Sequence, residues 1–377
     1  MYEQENDLEA LKNALHSIDW NFASSKPGPL ECVHPYPAKF IVDIPYSLLR
    51  LLQVPVGTYV FDPFCGSGTT LSVAQQMGYP SIGVDLNPIA CLISRVKTAI
   101  LPDHIENLCD VIVDGAKKRF QPISVDIPNI DHWFLPEIQY AIAALKAEIQ
   151  FQKDLVVRDI LSLSLSSILV RVSNQESDTR YAAVRKNITA DKTYQLFVVA
   201  YKRIFNALRD RKWNICPARV LQADTLELSA NSLPAIGLVI TSPPYPNAYE
   251  YWLYHKYRMW WLGYDPLKVK EKEIGARAHF FSGSTKKESA SFSEQMEKTF
   301  SLLKKVVVPS GYVCFVVGRS KIHGEYVDNA KIIEDISQSK GFKFITRIDR
   351  EILSTRKSFN LSHAQIKKES ILIMQGR

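Results

Sequence analysis

The chain has 377 residues, of which 46% are hydrophobic and 23% are charged, and its net charge is +7. This is ordinary globular composition, long enough for one large α/β domain with an insertion or for two modest domains. No run approaches the roughly 18 uninterrupted apolar residues of a membrane-spanning helix, and the acidic N-terminus does not resemble a signal peptide. The six cysteines are far apart, with no CxxC pair for a disulfide scaffold or a zinc site. We therefore predict a cytoplasmic protein that binds no metal and no membrane.

The N-terminal part is predicted to alternate strands and helices after an initial helix and loop in residues 1–30. Thr58–Phe61 and Ser81–Val84 are β-prone runs, and each is followed by an acidic residue. Between them come a glycine turn and a predicted helix over Thr69–Met77, and a second helix follows over Ile89–Ala99. The order strand, glycine turn, helix, strand, acid is typical of a nucleotide-binding α/β fold.

Residues 103–215 interrupt this alternation. Apolar residues at spacings of three and four predict helices over Ile138–Phe151, Val157–Val172 and Lys192–Leu208. The second half, residues 171–215, holds ten Lys and Arg against four Asp and Glu. A solvated helical face is one interpretation of that excess, and a contact with a polyanion is the other. We predict a helical insertion.

The α/β pattern resumes after residue 215. Strands are predicted at residues 219–224, 237–240, 312–317, 342–345 and 370–374. An aromatic run covers Tyr245–Trp261, and the polar composition of residues 265–292 predicts a mobile loop. The expected fold is a mostly parallel seven-stranded sheet, built from residues 31–102 and 216–377 around the insertion.

Two short motifs follow predicted strands. In the first, Asp62 precedes the glycine turn Gly66-Ser67-Gly68, and Asp85 ends the next strand. Glycines permit a tight turn and close approach of the backbone to a ligand, the next helix offers free N–H groups to an anion, and Asp85 is placed to accept hydrogen bonds from ribose hydroxyls. A plain strand-to-helix turn is the simpler alternative, but it leaves the co-occurrence of these residues unexplained.

The second motif is the run Thr241-Ser242-Pro243-Pro244-Tyr245 at the end of an apolar strand. Two prolines stiffen the chain and leave carbonyl oxygens as acceptors. Ser242 adds a hydroxyl, and Tyr245 adds a flat ring for stacking. Together these groups are suited to a planar heterocycle with an exocyclic amine, although a rigid loop exit is the alternative interpretation.

The sequence Asp-Pro-Phe-Cys-Gly-Ser-Gly-Thr-Thr, combined with Thr-Ser-Pro-Pro-Tyr, resembles the S-adenosylmethionine (SAM)-dependent DNA amino-methyltransferases. Residues 31–40 are similar to the segment that this family places over the methionine end of SAM, and residues 85–88 resemble its ribose-binding acidic motif. Serine at position 242 is similar to the N4-cytosine subgroup, since the N6-adenine subgroup usually has Asp or Asn there. Asp224 resembles the residue that ends the third strand.

The resemblance implies a Rossmann-like class I methyltransferase fold with SAM as cofactor. It implies that Ser242 and the Pro243 carbonyl hold the target amine, next to Pro244, while Tyr245 stacks on the extruded base. Cys65 is interpreted as packing, and the chain has no Pro-Cys dipeptide of the kind that a C5-cytosine enzyme needs. The implied cofactor-binding residues are Lys39, Asp62, Phe64, Cys65, Gly66, Ser67, Gly68, Thr69, Thr70, Asp85, Asn87 and Asp224.

The implied partner is double-stranded DNA, from which the target base is flipped. Three regions are candidate DNA contacts: the basic stretch with Arg171, Asn174, Arg180, Arg185 and Lys186, the run Tyr249–Arg258, and the loop Lys268–Lys287. The aromatic face of that run is interpreted either as a DNA contact or as core. Residues 103–215 are the candidate target-recognition element. A separately encoded restriction endonuclease is a candidate partner, and the oligomeric state stays open.

Three functions remain open at this stage. The favoured one is a site-specific DNA N4-cytosine methyltransferase of a restriction–modification or other defence system. The second is an amino-methyltransferase with another target, either N6 of adenine in DNA or N2 of guanine in structured RNA. The third is a nucleic-acid-binding homologue without turnover. A dehydrogenase is disfavoured, because Gly66-Ser67-Gly68 lacks the third glycine of the dinucleotide motif.

Overall fold

The computed structural model describes residues 2–37, 39–119, 126–178, 180–211, 216–246, 250–275, 285–322, 325–352 and 368–377. The predictions for Ala38, Thr179 and residues 120–125, 212–215, 247–249, 276–284, 323–324 and 353–367 therefore lie outside the described residues. No helix among the described residues combines the length and the apolar character that crossing a membrane would require.

The described strands belong to one large sheet and two small ones. In chain order they are β1 Tyr59–Asp62, β2 Ser81–Asp85, β3 Gln175–Ser177, β4 Arg180–Ala183, β5 Ala218–Gln222, β6 Ile236–Thr241, β7 Val307–Gly318, β8 Ser320–Ile322, β9 Glu325–Val327, β10 Lys343–Glu351 and β11 Lys368–Gln375. All seven predicted strands are in the large sheet, with boundaries that differ by a few residues.

The large sheet has the order β10-β11-β7-β6-β1-β2-β5. Strands β5, β2, β1, β6 and β7 run parallel, whereas β11 is antiparallel to both of its neighbours. The chain order reverses between β1 and β6, and ligands of open α/β sheets bind at such a reversal, beyond the carboxyl ends of the strands. The prediction of an α/β fold with a mostly parallel seven-stranded sheet is confirmed.

Helices cover both faces of the sheet. The α-helices are α1 Tyr2–His16, α2 Asp43–Leu51, α3 Thr69–Gln76, α4 Pro88–Thr98, α5 Leu108–Lys117, α6 Ile130–Trp133, α7 Pro136–Gln150, α8 Leu155–Val172, α9 Ala190–Arg209, α10 Tyr251–Leu262, α11 Pro266–Lys272, α12 Thr285–Val306 and α13 Asn329–Ser339. Because side chains alternate along a strand, Val60 packs in the core with α2 and α3, while Phe61 packs in the core with α12 and α13.

A third apolar core joins α5, α7, α8 and α9 to α4 and α10. The described residues between 103 and 211 thus form a helical block on one flank of the sheet. The sequence predicted only helices in this block. The structure differs, because β3 and β4 form an antiparallel hairpin directly after α8.

The prediction of a loop over residues 265–292 is wrong for residues 266–272 and 285–292, which are helical. The side chain of Asp265 caps α11, accepting a hydrogen bond from the Leu267 N–H at 2.9 Å, and Pro266 occupies its first turn. Helix α12 includes Phe292, Met296 and Phe300, which are fully buried at four-residue spacing. The polar composition of residues 265–292 favoured a loop, although the N-cap at Asp265 and the four-residue apolar spacing in α12 both indicate helices.

Candidate active site

The glycine turn between β1 and α3 has the left-handed backbone that its sequence predicts. Gly66 has φ +48° and Gly68 has φ +73°. A Cβ atom on Gly68 would lie 2.6 Å from Ser94 Oγ and 2.9 Å from the Ser94 Cα atom in α4. The Ser94 hydroxyl donates to the Gly66 carbonyl at 2.8 Å, so the turn is fixed against α4 and only glycine fits at position 68.

Asp85, at the end of β2, connects that turn to the start of α4. Its carboxylate accepts hydrogen bonds from the backbone N–H groups of Gly66 and Asn87, each at 2.8 Å. The Asn87 side chain in turn accepts from the Ile89 N–H at 2.9 Å and caps α4. Burial raises the pKa of Asp85 to about 6, while the two backbone hydrogen bonds oppose that rise. Each carboxylate oxygen still has a lone pair for a ligand hydroxyl.

Asp62, at the end of β1, connects the two sequence motifs. Its Oδ1 atom accepts from the Thr241 hydroxyl at 2.6 Å and from the Phe64 N–H at 3.1 Å. Burial raises the pKa of Asp62 to about 6, and the hydrogen bond from Thr241 lowers it in part. Since Thr241 directly precedes Ser242, the carboxyl ends of β1 and β6 are held together.

A chain of hydrogen bonds through Ser320 and Asn329 anchors the loop that follows β6. The Ser320 hydroxyl donates to the Pro246 carbonyl at 2.7 Å, and Asn329 Nδ2 donates to Ser320 Oγ at 2.7 Å and to the Gly318 carbonyl at 2.8 Å. Ser320 and Asn329 are 2% and 0% exposed. These contacts fix the backbone immediately after Tyr245.

Most of the predicted site residues line one cleft at this end of the sheet. They are Asp62, Phe64, Cys65, Gly66, Ser67, Thr69, Asp85, Asn87, Asp224, Ser242, Pro243, Pro244 and Tyr245. Their contacts with a ligand stay predictions.

Three predicted cofactor residues are not among those that line the cleft. Gly68 packs against α4, and the buried Thr70 hydroxyl donates to the Ile240 carbonyl at 3.3 Å. The Lys39 ammonium donates to the His34 carbonyl at 2.9 Å and to the Glu31 carbonyl. In this structure, Lys39 therefore holds together the segment that precedes it.

The sequence predicted that residues 31–40 lie over the cofactor, but it did not predict that Tyr36 of that segment and Tyr251 together form a roof over the cleft. The rings of Tyr36 and Tyr251 stack with centroids 5.7 Å apart and planes at 28°, and both line the cleft. The Glu273 carboxylate accepts from the N–H groups of Tyr251 at 2.7 Å and Trp252 at 3.1 Å, and thereby caps α10. Burial raises the pKa of Glu273 to about 8. A cap supplied by a residue 22 positions away leaves no local signal in the sequence.

The cleft fits S-adenosylmethionine chemically. Asp85 offers acceptors for ribose hydroxyls, Asp62 offers a carboxylate for an ammonium group, and Phe64 offers an aromatic face. Free N–H groups at the start of α3 suit a carboxylate. The strand order, with antiparallel β11 inserted between β7 and β10, and the glycine turn after β1 define a class I SAM-dependent methyltransferase fold.

Comparisons with known proteins agree with this class. Residues 3–95 match the family model described as DNA methylase. The chain is 36% identical over 108 residues to the type II methyltransferase M.MjaII of Methanocaldococcus jannaschii, covering 27% of this chain and 20% of that protein. It is 24% identical over 277 residues to the type II methyltransferase M.BsoBI of Geobacillus stearothermophilus, covering 63% of this chain and 53% of that protein. The chain thus spans a fifth of the length of M.MjaII and about half of the length of M.BsoBI.

Among solved structures, TrmN from Thermus thermophilus aligns with a TM-score of 0.36 at 10% identity, covering 90% of this chain and 49% of that one. The strand order and the glycine turn after β1 define the fold class. The matches over residues 3–95 and to M.MjaII support a similarity to the DNA amino-methyltransferases, and they imply S-adenosylmethionine as the cofactor.

Proposed function

We propose that the chain transfers a methyl group from S-adenosylmethionine to the exocyclic N4 amine of a cytosine in double-stranded DNA. The observation that carries the proposal is the short bond from Thr241 to Asp62. It holds the Ser-Pro-Pro-Tyr loop beside the glycine turn, so a target amine bound at Ser242 would lie next to the cofactor cleft.

The chain's own groups are sufficient for a reaction that depends mainly on positioning. The bound cofactor supplies an electrophilic sulfonium methyl group. The Ser242 hydroxyl and the Pro243 carbonyl accept hydrogen bonds from the amine and direct its lone pair toward the methyl group. Tyr245 covers the heterocycle by stacking. Tyr36 and Tyr251 form the roof and limit access of water to the cleft.

Cytosine is favoured by the serine at position 242, which is similar to the N4-cytosine subgroup. N6 of adenine in DNA and N2 of guanine in structured RNA are amines of the same kind and remain the alternative targets. A homologue without turnover is the third possibility, against which stands the joint presence of Asp85, the glycine turn and Ser242 around one cleft.

DNA is the proposed partner because the two curated relatives are named type II methyltransferases. A base inside a duplex must leave the stack to reach the cleft, at a cost of about a few kcal/mol. We propose that residues 103–215 form the insertion that contributes to this step and to target recognition. A role in restriction–modification or another defence system, with a separate endonuclease, belongs to the same proposal, as does a cytoplasmic location.

The test is transfer of a labelled methyl group from S-adenosylmethionine to mixed-sequence duplex DNA and, in parallel, to structured RNA. We expect label on DNA, lost in Ser242→Ala although that variant still binds the cofactor. The matched control, Ser301→Ala on an exposed face of α12, should retain full activity. Label on RNA alone would overturn the DNA proposal, and no label on either substrate would favour the homologue without turnover.

A further inference from the structure

The hairpin β3–β4 is a two-stranded sheet with little cover of its own. Four residues along its second strand and just beyond are exposed: Ala182, Ala183, Val184 and Arg185. An isolated two-stranded hairpin is marginally stable in water. The structure nevertheless fixes this one by contacts at both of its ends, the turn at Asp178 and the segment around Lys186.

The principal support comes from α10. The guanidinium of Arg258, which is 1% exposed, pairs with the Asp178 carboxylate between the two strands. The same guanidinium donates to the Ser166 carbonyl of α8 at 3.2 Å and to the Tyr254 carbonyl at 3.1 Å. The hairpin is therefore joined to the helix that starts at the cleft.

Two lysines add to this attachment. The Lys186 ammonium donates to the Val170 carbonyl at 3.0 Å and to the Gln175 carbonyl at 2.5 Å. The Lys256 ammonium of α10 lies 5.1 Å from the centroid of the Tyr181 ring in β4. Both ends of the hairpin are thus held while its outer surface stays uncovered.

The hairpin lies at the catalytic end of the molecule. Helix α8 starts near Ala218, the first residue of β5, because its first turn lines a cleft with that residue through Leu155, Val156, Arg158 and Asp159. This amino end of the strand is opposite the carboxyl end at which the active site lies. The other end of α8 approaches the active site, since Ser166 Oγ lies 2.9 Å from the His34 ring, two residues before Tyr36 in the roof. The hairpin follows that end directly.

We propose that hairpin β3–β4 enters a groove of the DNA beside the target base and contacts phosphates through Arg180 and Arg185. This inference rests on the proposed function and adds the element that holds the duplex. The major groove, about 12 Å wide, accepts a two-stranded ribbon. The two acids of the hairpin are neutralised by Arg258 and by Arg180, whose side chain is 69% exposed. The exposed Arg180–Glu176 pair is weak and can be exchanged for a phosphate.

The test is the salt dependence of duplex binding, measured by fluorescence anisotropy with the full chain. The slope of log K against log[salt] is negative, and each lost phosphate contact reduces its magnitude by about 0.9. We expect Arg180→Gln combined with Arg185→Gln to reduce the magnitude of the slope by nearly two and to weaken binding about tenfold at low salt. Its SAM affinity and thermal midpoint should not change.

The matched control is Arg158→Gln combined with Arg219→Gln. It removes the same charge near the amino end of β5, away from the hairpin. Its slope should equal that of the unmodified chain. Equal slopes for the hairpin variant and the unmodified chain, or equal losses in both double variants, would overturn the inference. Hairpin-dependent binding without methyl transfer would refute the proposed function alone, whereas methyl transfer with an unchanged slope would refute the hairpin alone.

Discussion

The hydroxyl of Thr241 lies 2.6 Å from the carboxylate of Asp62 and donates a hydrogen bond to it. The two residues are far apart in the chain, but they end neighbouring parallel strands. The bond therefore sets the distance between the loop assigned to the cofactor and the loop assigned to the target amine. The rate of a reaction that depends on the positions of two reacting groups falls steeply when the distance between them changes.

Thr241→Val removes the hydroxyl but preserves the shape of the side chain. It leaves the buried Asp62 carboxylate with one donor fewer, which costs about 1–3 kcal/mol of unfolding free energy. We expect methyl transfer to fall at least tenfold, with little change in the Kd for SAM. Thr299→Val, in α12 away from the cleft, is the control for loss of a buried hydroxyl. Full activity of Thr241→Val would show that the bond does not set the geometry.

Gly68→Ala tests the close approach of the glycine turn to α4. The added methyl group would meet Ser94 at less than 3 Å, so the turn must shift, and SAM binding should weaken at least tenfold. Gly78→Ala carries a comparable left-handed φ of +82° with no atom within 4 Å, and it isolates the cost of the backbone conformation. Calorimetric unfolding should show an additional loss of about 1–3 kcal/mol for Gly68→Ala. Equal losses in the two variants would contradict the steric account.

Glu273 gives the stability a distinct pH dependence. Its pKa is about 8 in the folded chain, above the ordinary 4.5, so the unfolded chain releases this proton first as pH rises. The free energy of unfolding should therefore fall as pH increases from about 4.5 to 8.

Glu273→Gln keeps an acceptor for α10 and removes the titration. The difference between the two unfolding profiles, measured by denaturant titration, isolates this group from other buried groups. The unmodified chain should lose at least about 1 kcal/mol relative to the variant across that window. Parallel profiles would show that Glu273 does not titrate there.

Ser320→Ala should act on turnover through the backbone after Tyr245. The substitution leaves the Pro246 carbonyl without the hydroxyl that fixes it and deprives Asn329 of one partner. We expect kcat for methyl transfer to fall about tenfold, because the target-base loop shifts, while SAM affinity stays constant. Isothermal titration separates the two effects, with Ser301→Ala again as control. Equal loss of SAM binding and turnover would indicate a general structural defect.

The parts of the site that the sequence predicts are those encoded by contiguous residues at strand ends. Gly66, Asp85 and Ser242 follow recognisable strands, and parallel strands bring their carboxyl ends to one edge. Glu273 and the stack of Tyr36 on Tyr251 depend on contacts between distant segments, so no local pattern predicts them. Lys39 shows the converse: its motif is present, but its ammonium is used by backbone carbonyls of its own segment.

The most direct test of the account is the identity of the methylated nucleoside. Mixed-sequence duplex DNA is incubated with the chain and isotopically labelled S-adenosylmethionine, digested to nucleosides and analysed by mass spectrometry. We expect labelled N4-methylcytosine, and we expect none when Ser242→Ala replaces the unmodified chain. Labelled N6-methyladenine with no labelled cytosine derivative would contradict the assignment of the target base.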